Sequence, residues 1–246
     1  MFYLALVVPV SSCGLLDFNV DDELAAIAAD MSLDADTVYV MRGDTMTLKP
    51  VFKPDTVNIK DVLISSSDND VVSVNALTGR IEAVGQGWAW LYVESVSARL
   101  KDSCAVCVME PWEVSGYYPF ETVFYATVTV GGKPLSKDMT VAAFVGSECR
   151  ALAMPQSFHG VAFTLFRVGS EEWPYEMNPM IPDNPDIPLE EEEEDDGQGG
   201  GLEVVREQIE FRCYDSLHRK LYTCPRRIDF DGETYGTLSN LYKIEF

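Results

Sequence analysis

Val62-Leu63-Ile64-Ser65-Ser66-Ser67-Asp68-Asn69-Asp70-Val71-Val72-Ser73-Val74 leads into Thr78-Gly79-Arg80-Ile81, then Ala83-Val84-Gly85-Gln86-Gly87 and Trp88-Ala89-Trp90. Apolar residues recur here at every second position, the period of half-buried strands rather than of a helix. Ser67 to Asp70 and Thr78-Gly79 read as turns, and Gly79 and Gly87 stand where a tight turn needs positive φ. Working outward, the same period predicts strands over 37–40, 45–52, 62–67, 71–75, 80–84, 88–93 and 104–109. Beyond a linker, Glu110-Pro111-Trp112-Glu113, it predicts further strands over 121–130, 140–145, 149–154, 160–168, 208–214, 221–224, 227–230 and 241–246. Short, closely spaced strands throughout define an all-β chain, and in the first half their spacing argues for a sandwich. The indoles of Trp88 and Trp90 are expected to thicken the first core.

In their order, Ile64 to Asp68, Val71 to Val74, Thr78 to Ile81 and Ala83 to Gly87 resemble the bacterial immunoglobulin-like domain of group 2, over about residues 36–110. The resemblance implies an Ig-like sandwich, with Trp88-Ala89-Trp90 bulkier than the family pattern. Three later stretches resemble a β-sandwich module of surface and secreted proteins of Gram-negative anaerobes, over about 113–246, and the two resemblances together imply two consecutive β-sandwich domains, the first immunoglobulin-like. The three stretches are Val141 to Arg150, Phe211 to Asp215 with Lys220-Leu221-Tyr222, and Tyr235 to Asn240. Ala151 stands where that module usually has glycine, and Leu241 where it often has proline.

Residues 1–13 form an apolar stretch too short to span a bilayer, closed by Val10-Ser11-Ser12-Cys13. Small residues before a cysteine suit a signal peptidase and supply a thiol for acylation, so the stretch resembles a lipoprotein signal with Cys13 as the lipidated residue. No Lys or Arg stands near Met1, which leaves an upstream start open. Two or more acyl chains on Cys13 would be a stable membrane anchor. Residues 14–35 then read as an acidic tether, with an Ala-rich stretch at Leu24 to Ala29 suited to a turn or two of helix. Acidic residues soon after the cysteine resemble a sorting signal for the outer face, so the expected location is the outer membrane at the cell surface.

The chain has 246 residues and is 47% hydrophobic, enough for sizeable cores. Its 40 acidic and 18 basic residues give a net charge of −22, which repels nucleic acid and anionic lipid. Between the strands lies an acidic insertion, 171–201, carrying five prolines, the run Glu190 to Asp196 and a glycine-rich end. Such sequence does not bury enough apolar surface to order itself, and it is expected to be a disordered loop.

Catalytic and metal readings find little to stand on. His159 and His218 are the two histidines, far apart and outside metal spacing. Cys104 and Cys107 form one C-x-x-C with no second pair, and on a strand i and i+3 point to opposite faces. Arg42-Gly43-Asp44 reads as a turn before a strand. A disulfide between Cys213 and Cys224 is allowed if the hairpin between them turns at Leu217-His218. Arg212, Arg219, Lys220, Arg226 and Arg227 crowd five cations into 16 residues of an acidic chain. They could be solvated, dock the acidic run or hold an anionic ligand. No cofactor is implied.

Two functions of different class follow. One is a non-catalytic binding or adhesion lipoprotein whose Ig-like domain is a spacer and whose second sandwich binds an extracellular glycan through loop aromatics such as Trp173 and Tyr175. The other is a structural subunit docking onto an envelope protein. An aromatic-lined concavity would favour the first, and an apolar patch at a sheet edge the second.

Overall fold

The computed structural model describes residues 28–56, 61–75, 78–114, 116–171 and 207–246. Among them there are twenty strands and no helix. The first nine are β1 (Asp30–Ser32), β2 (Thr37–Met41), β3 (Thr45–Met46), β4 (Val51–Lys53), β5 (Val62–Ser66), β6 (Val72–Val74), β7 (Ile81–Ala83), β8 (Gly87–Ser95) and β9 (Leu100–Met109). They form a four-stranded sheet, β2-β9-β8-β5, with β2 parallel to β9, facing a three-stranded sheet, β3-β7-β6, and a small β1-β4 pair.

Alternation decides what this sandwich buries. Ala89 and Leu91 of β8 point inward with Cys104, Val106 and Val108 of β9 and pack with Val72, Ile81 and Val40, while Val93 of β8 points inward onto Met31 and Phe52. With the aliphatic set filling the inner face, the pleat sends every other β8 residue outward. Trp88, Trp90 and Tyr92 are therefore 59%, 50% and 49% exposed. The expectation that the two indoles thicken the core is corrected: they form the outer surface of the sheet.

Two local readings also change. The single strand expected over 45–52 is two, because Pro50 has no N–H to continue a ladder; β3 pairs with β7, and β4 pairs with β1. The expected tether, 14–35, overlaps β1, whose Met31 is buried with Phe52 and Val93. Cys13 and the remainder of the tether up to residue 27 lie outside the described residues, as does the acidic insertion beyond Glu171.

The second group comprises β10 (Phe120–Val130), β11 (Lys133–Pro134), β12 (Met139–Val145), β13 (Glu148–Leu152), β14 (Met154–Phe158), β15 (Val161–Ser170), β16 (Gln208–Asp215), β17 (Lys220–Thr223), β18 (Ile228–Asp229), β19 (Thr234–Tyr235) and β20 (Tyr242–Glu245). β10 is the spine of one sheet, pairing with β11 and β15 antiparallel and with β19 and β20 in parallel. The facing sheet runs β13-β12-β16-β17, with β18 on β16. Phe124, Phe166 and Phe211 interlock edge-to-face between them, at centroid distances of 5.2 Å and 5.1 Å.

β12 departs from the half-buried pattern. Val141, Ala143 and Val145 enter the core, yet Ala142 and Phe144 on the opposite face are also buried. What covers them is Trp112 of the linker, which packs edge-to-face on Phe144 at 5.3 Å and on Tyr214 at 6.4 Å.

Candidate functional site

The two sandwiches meet through the β16–β17 hairpin, which abuts strand β2. Tyr39 N donates to Arg219 O at 2.8 Å. The Tyr214 hydroxyl donates to Tyr39 O at 3.2 Å, and an Arg219 guanidinium N–H donates to Thr45 O at 3.2 Å. Arg219 itself sits at φ 53°, the tight end of the hairpin.

Beside this contact lies an open cleft of about 630 Å³. One wall is the end of β8 and β9 with Trp88, Cys107 and Met109; the other is β12, β13 and β16 with Phe144, Cys149 and Arg212; Glu110 to Glu113 run along the floor. Trp88 packs edge-to-face on Tyr39 at 5.9 Å. Arg212 lies 4.3 Å over the Phe144 ring and donates to Glu210 at 2.6 Å. Tyr214, Trp112, Phe144 and Arg212 thus make a continuous series of ring contacts, of which the last three line the cleft.

Its charged groups are largely paired. Glu110 holds Arg42 at 2.9 Å, and Glu148 holds Arg150 at 2.8 Å. Burial raises the Cys107 and Cys149 thiols, so neither is poised as a thiolate nucleophile. What remains on offer is aromatic surface with a rim of polar atoms, which suits binding better than bond-breaking.

The cation cluster expected around Arg212 does not converge. Arg212 and Arg227 share Glu210, the latter at 2.9 Å. Arg219 turns to the first sandwich, Arg226 lies 5.2 Å over the Tyr242 ring, and Lys220 is exposed on β17 opposite Asp215. Strand alternation and the hairpin turn spread the five over different faces, so only Arg212 reaches the cleft. Of the three roles left open for these residues, a shared anion site is therefore not formed, and Arg212 and Arg227 are paired with Glu210. Trp173 and Tyr175 lie outside the described residues.

The Cys213–Cys224 disulfide is likewise corrected, since both are free, buried thiols. The hairpin does turn at Leu217-His218, but that register sets Cys213 opposite Tyr222. Cys224 instead donates its N–H to Phe211 O. Diagonal positions of this kind are about 7–8 Å apart, beyond ordinary disulfide reach. Burial and Asp215 push the Cys213 thiol up to about 11.

Cys104 faces the core while Cys107 lines the cleft. Among the described residues, no group of His, Cys, Asp and Glu is arranged to hold a metal ion. His218 is held at 2.8 Å from Asp215, and His159 packs on Phe158 at 4.2 Å. Arg42-Gly43-Asp44 is a turn whose arginine is tied to Glu110.

The site residues that sequence reasoning passed over are Trp88, Trp90, Tyr92, Trp112 and Phe144. A usable signal was present in Trp88-Ala89-Trp90-Leu91-Tyr92-Val93, where aromatics alternate with residues sufficient to fill an inner face. Trp112 carried no such signal, because it lies in a linker and meets Phe144 and Tyr214 only through tertiary packing.

Residues 27–91 match the model of the bacterial Ig-like domain (group 2). The match starts before the span read from the motifs and stops short of residue 110. No curated protein matches the chain. Among solved structures, the S-layer protein rSbsC(31-844) is similar at 17% identity and TM-score 0.30, over 59% of this chain and 22% of that one. Domains 4–9 of the surface layer protein SbsC are similar at 11% identity and TM-score 0.30, over 89% of this chain and 32% of that one. Human protocadherin-24 EC1-2 is similar at 9% identity and TM-score 0.27, over 89% and 99%. The chain thus spans a third or less of the S-layer chains it resembles.

Proposed function

We propose that the chain is a non-catalytic binding or adhesion protein of the cell surface, and that the cleft between its sandwiches is the ligand site. The observation that carries this reading is the aromatic concavity itself, with Trp88 on one wall, Trp112 on the floor and paired charges around them. The Ig-like matched region supports a surface role. On this reading the first sandwich is more than a spacer, because it supplies one wall. Acylation at Cys13 would hold the protein at the outer membrane with both sandwiches beyond it.

The test is a screen of the full chain against glycans and envelope proteins, repeated with Trp112→Ala. A partner whose binding falls roughly tenfold in the variant supports the cleft. Partners bound equally by both forms contradict it. A second reading, a structural subunit docked on an envelope protein, is favoured by Leu63, 60% exposed on edge strand β5. Crosslinking to a partner through β5, unaffected by Trp112→Ala, would select it.

A further inference from the structure

Trp88 belongs to two features at once: it lines the cleft, and it begins the exposed column Trp88, Trp90, Tyr92 on the outer face of β8. Alternate residues of a strand lie on one face at roughly 6.6–6.8 Å spacing, so the column runs about 13 Å from Trp88 to Tyr92. Its flanks are low. Trp88 is opposite Cys107, Trp90 opposite Ala105, and Tyr92 lies between Ser103 of β9 and Ser65 of β5. Small neighbours leave Trp90 and Tyr92 open from the sides, Trp88 meets Tyr39 edge-to-face, and the two serines put hydroxyls beside the last ring.

We infer that the ligand is a neutral, linear glycan, seated by one end in the cleft and extended along Trp88, Trp90 and Tyr92. The inference rests on the binding reading above and adds the ligand class. A sugar ring presents a C–H face of partial positive charge that complements the negative face of an aromatic ring. Its edge hydroxyls need acceptors and donors, which Ser65, Ser103 and the cleft rim supply. Charge selects against acidic polymers. The chain carries −22, Arg212 is paired to Glu210, and Lys101 at the far end of the column is paired to Glu94 at 3.1 Å. The outer face of the sheet, not its edge, carries the column: β8 lies between β9 and β5, and Tyr92 has a cross-strand partner on each side, so the rings rather than the backbone are what the face offers.

Calorimetric titration of the full chain with cellohexaose, xylohexaose, mannohexaose and chitohexaose, and with the matching disaccharides, tests this. At least one hexasaccharide should bind roughly tenfold tighter than its disaccharide. Trp90→Ala and Tyr92→Ala should remove that gain and leave the disaccharide unchanged, whereas Trp88→Ala should weaken both. Since all three side chains are half exposed, circular dichroism should report unaltered folds. Binding of none of the eight, tighter binding of polygalacturonate, or a hexasaccharide indifferent to Trp90→Ala would overturn the inference. If all eight fail while a screened partner still depends on Trp112, the cleft reading stands and only the ligand class falls. If Trp112→Ala leaves every partner bound, the cleft reading falls with it.

Discussion

The phenol of Tyr214, from the second sandwich, donates a hydrogen bond to the backbone carbonyl of Tyr39 in the first, at 3.2 Å. Burial, with Asp44 and Asp215 adding to it, pushes that phenol up to about 12, so it remains a donor throughout the neutral range. The bond fixes β2 against the hairpin and so sets the width of the adjoining cleft. Tyr214→Phe should cost about 1 kcal/mol, the net worth of one hydrogen bond. Denaturant melts give the stability change, and small-angle scattering should show a broader distribution of domain orientations. An unchanged scattering profile would mean that the Tyr39–Arg219 and Arg219–Thr45 hydrogen bonds hold the junction without it.

Arg150 is buried and fully engaged. It meets Glu148 at 2.8 Å and Glu207 at 3.6 Å, donates to Gly169 O at 3.2 Å, and lies 4.4 Å over the Tyr118 ring. These contacts tie the two ends from which the insertion departs, since Ser170 also donates to Glu207 at 2.6 Å. Arg150→Ala should destabilise the protein by about 3 kcal/mol, because half-buried Glu207 is left with Ser170 but no counter-charge and the Gly169 carbonyl loses its side-chain donor. Glu148→Gln removes an exposed partner and should cost less than about 1 kcal/mol. Equal losses in chemical melts would show that the pair, rather than the buried guanidinium, carries the effect.

Burial raises the Glu210 carboxyl, but hydrogen bonds and charge from Arg212 and Arg227 outweigh it and hold it below the usual glutamate range. A carboxyl depressed by folding stabilises the native state above its unfolded value of about 4.3, and that stability is lost as pH falls through the folded value. Wild type should therefore exceed Glu210→Gln in stability at neutral pH, and the gap should close on acidification below about pH 4. Melts of both proteins at a series of pH values check this. A gap that widens in acid would contradict the sign.

Much of the fold was legible because period-two patterning is local. Val71 to Val74, Gly79 and the alternating β8 run each carry their own instruction, and the strands follow. Pro50 was equally legible but was overridden in the reading by the flanking apolar residues, and the split into β3 and β4 followed from its missing N–H. The site was far less legible. Trp112 lies in a linker, and although Val141 to Val145 is an unbroken apolar run, nothing local says that Trp112 is what covers its second face. Cations crowded between Arg212 and Arg227 looked like a cluster in one dimension, yet alternation sent them to separate partners. Neighbours in sequence were a poor guide to neighbours across the junction.

The central claim is that binding occurs on the aromatic surface running from the cleft, and not on exposed apolar residues elsewhere. The most direct measurement is affinity for the same screened partner in Trp88→Ala and in Phe158→Ala, whose 53% exposed ring lies on the distant strand β14. The account predicts that Trp88→Ala weakens binding roughly tenfold while Phe158→Ala, with a matched melting temperature, leaves it unchanged. Equal affinity in the two variants, or loss in Phe158→Ala alone, would contradict it.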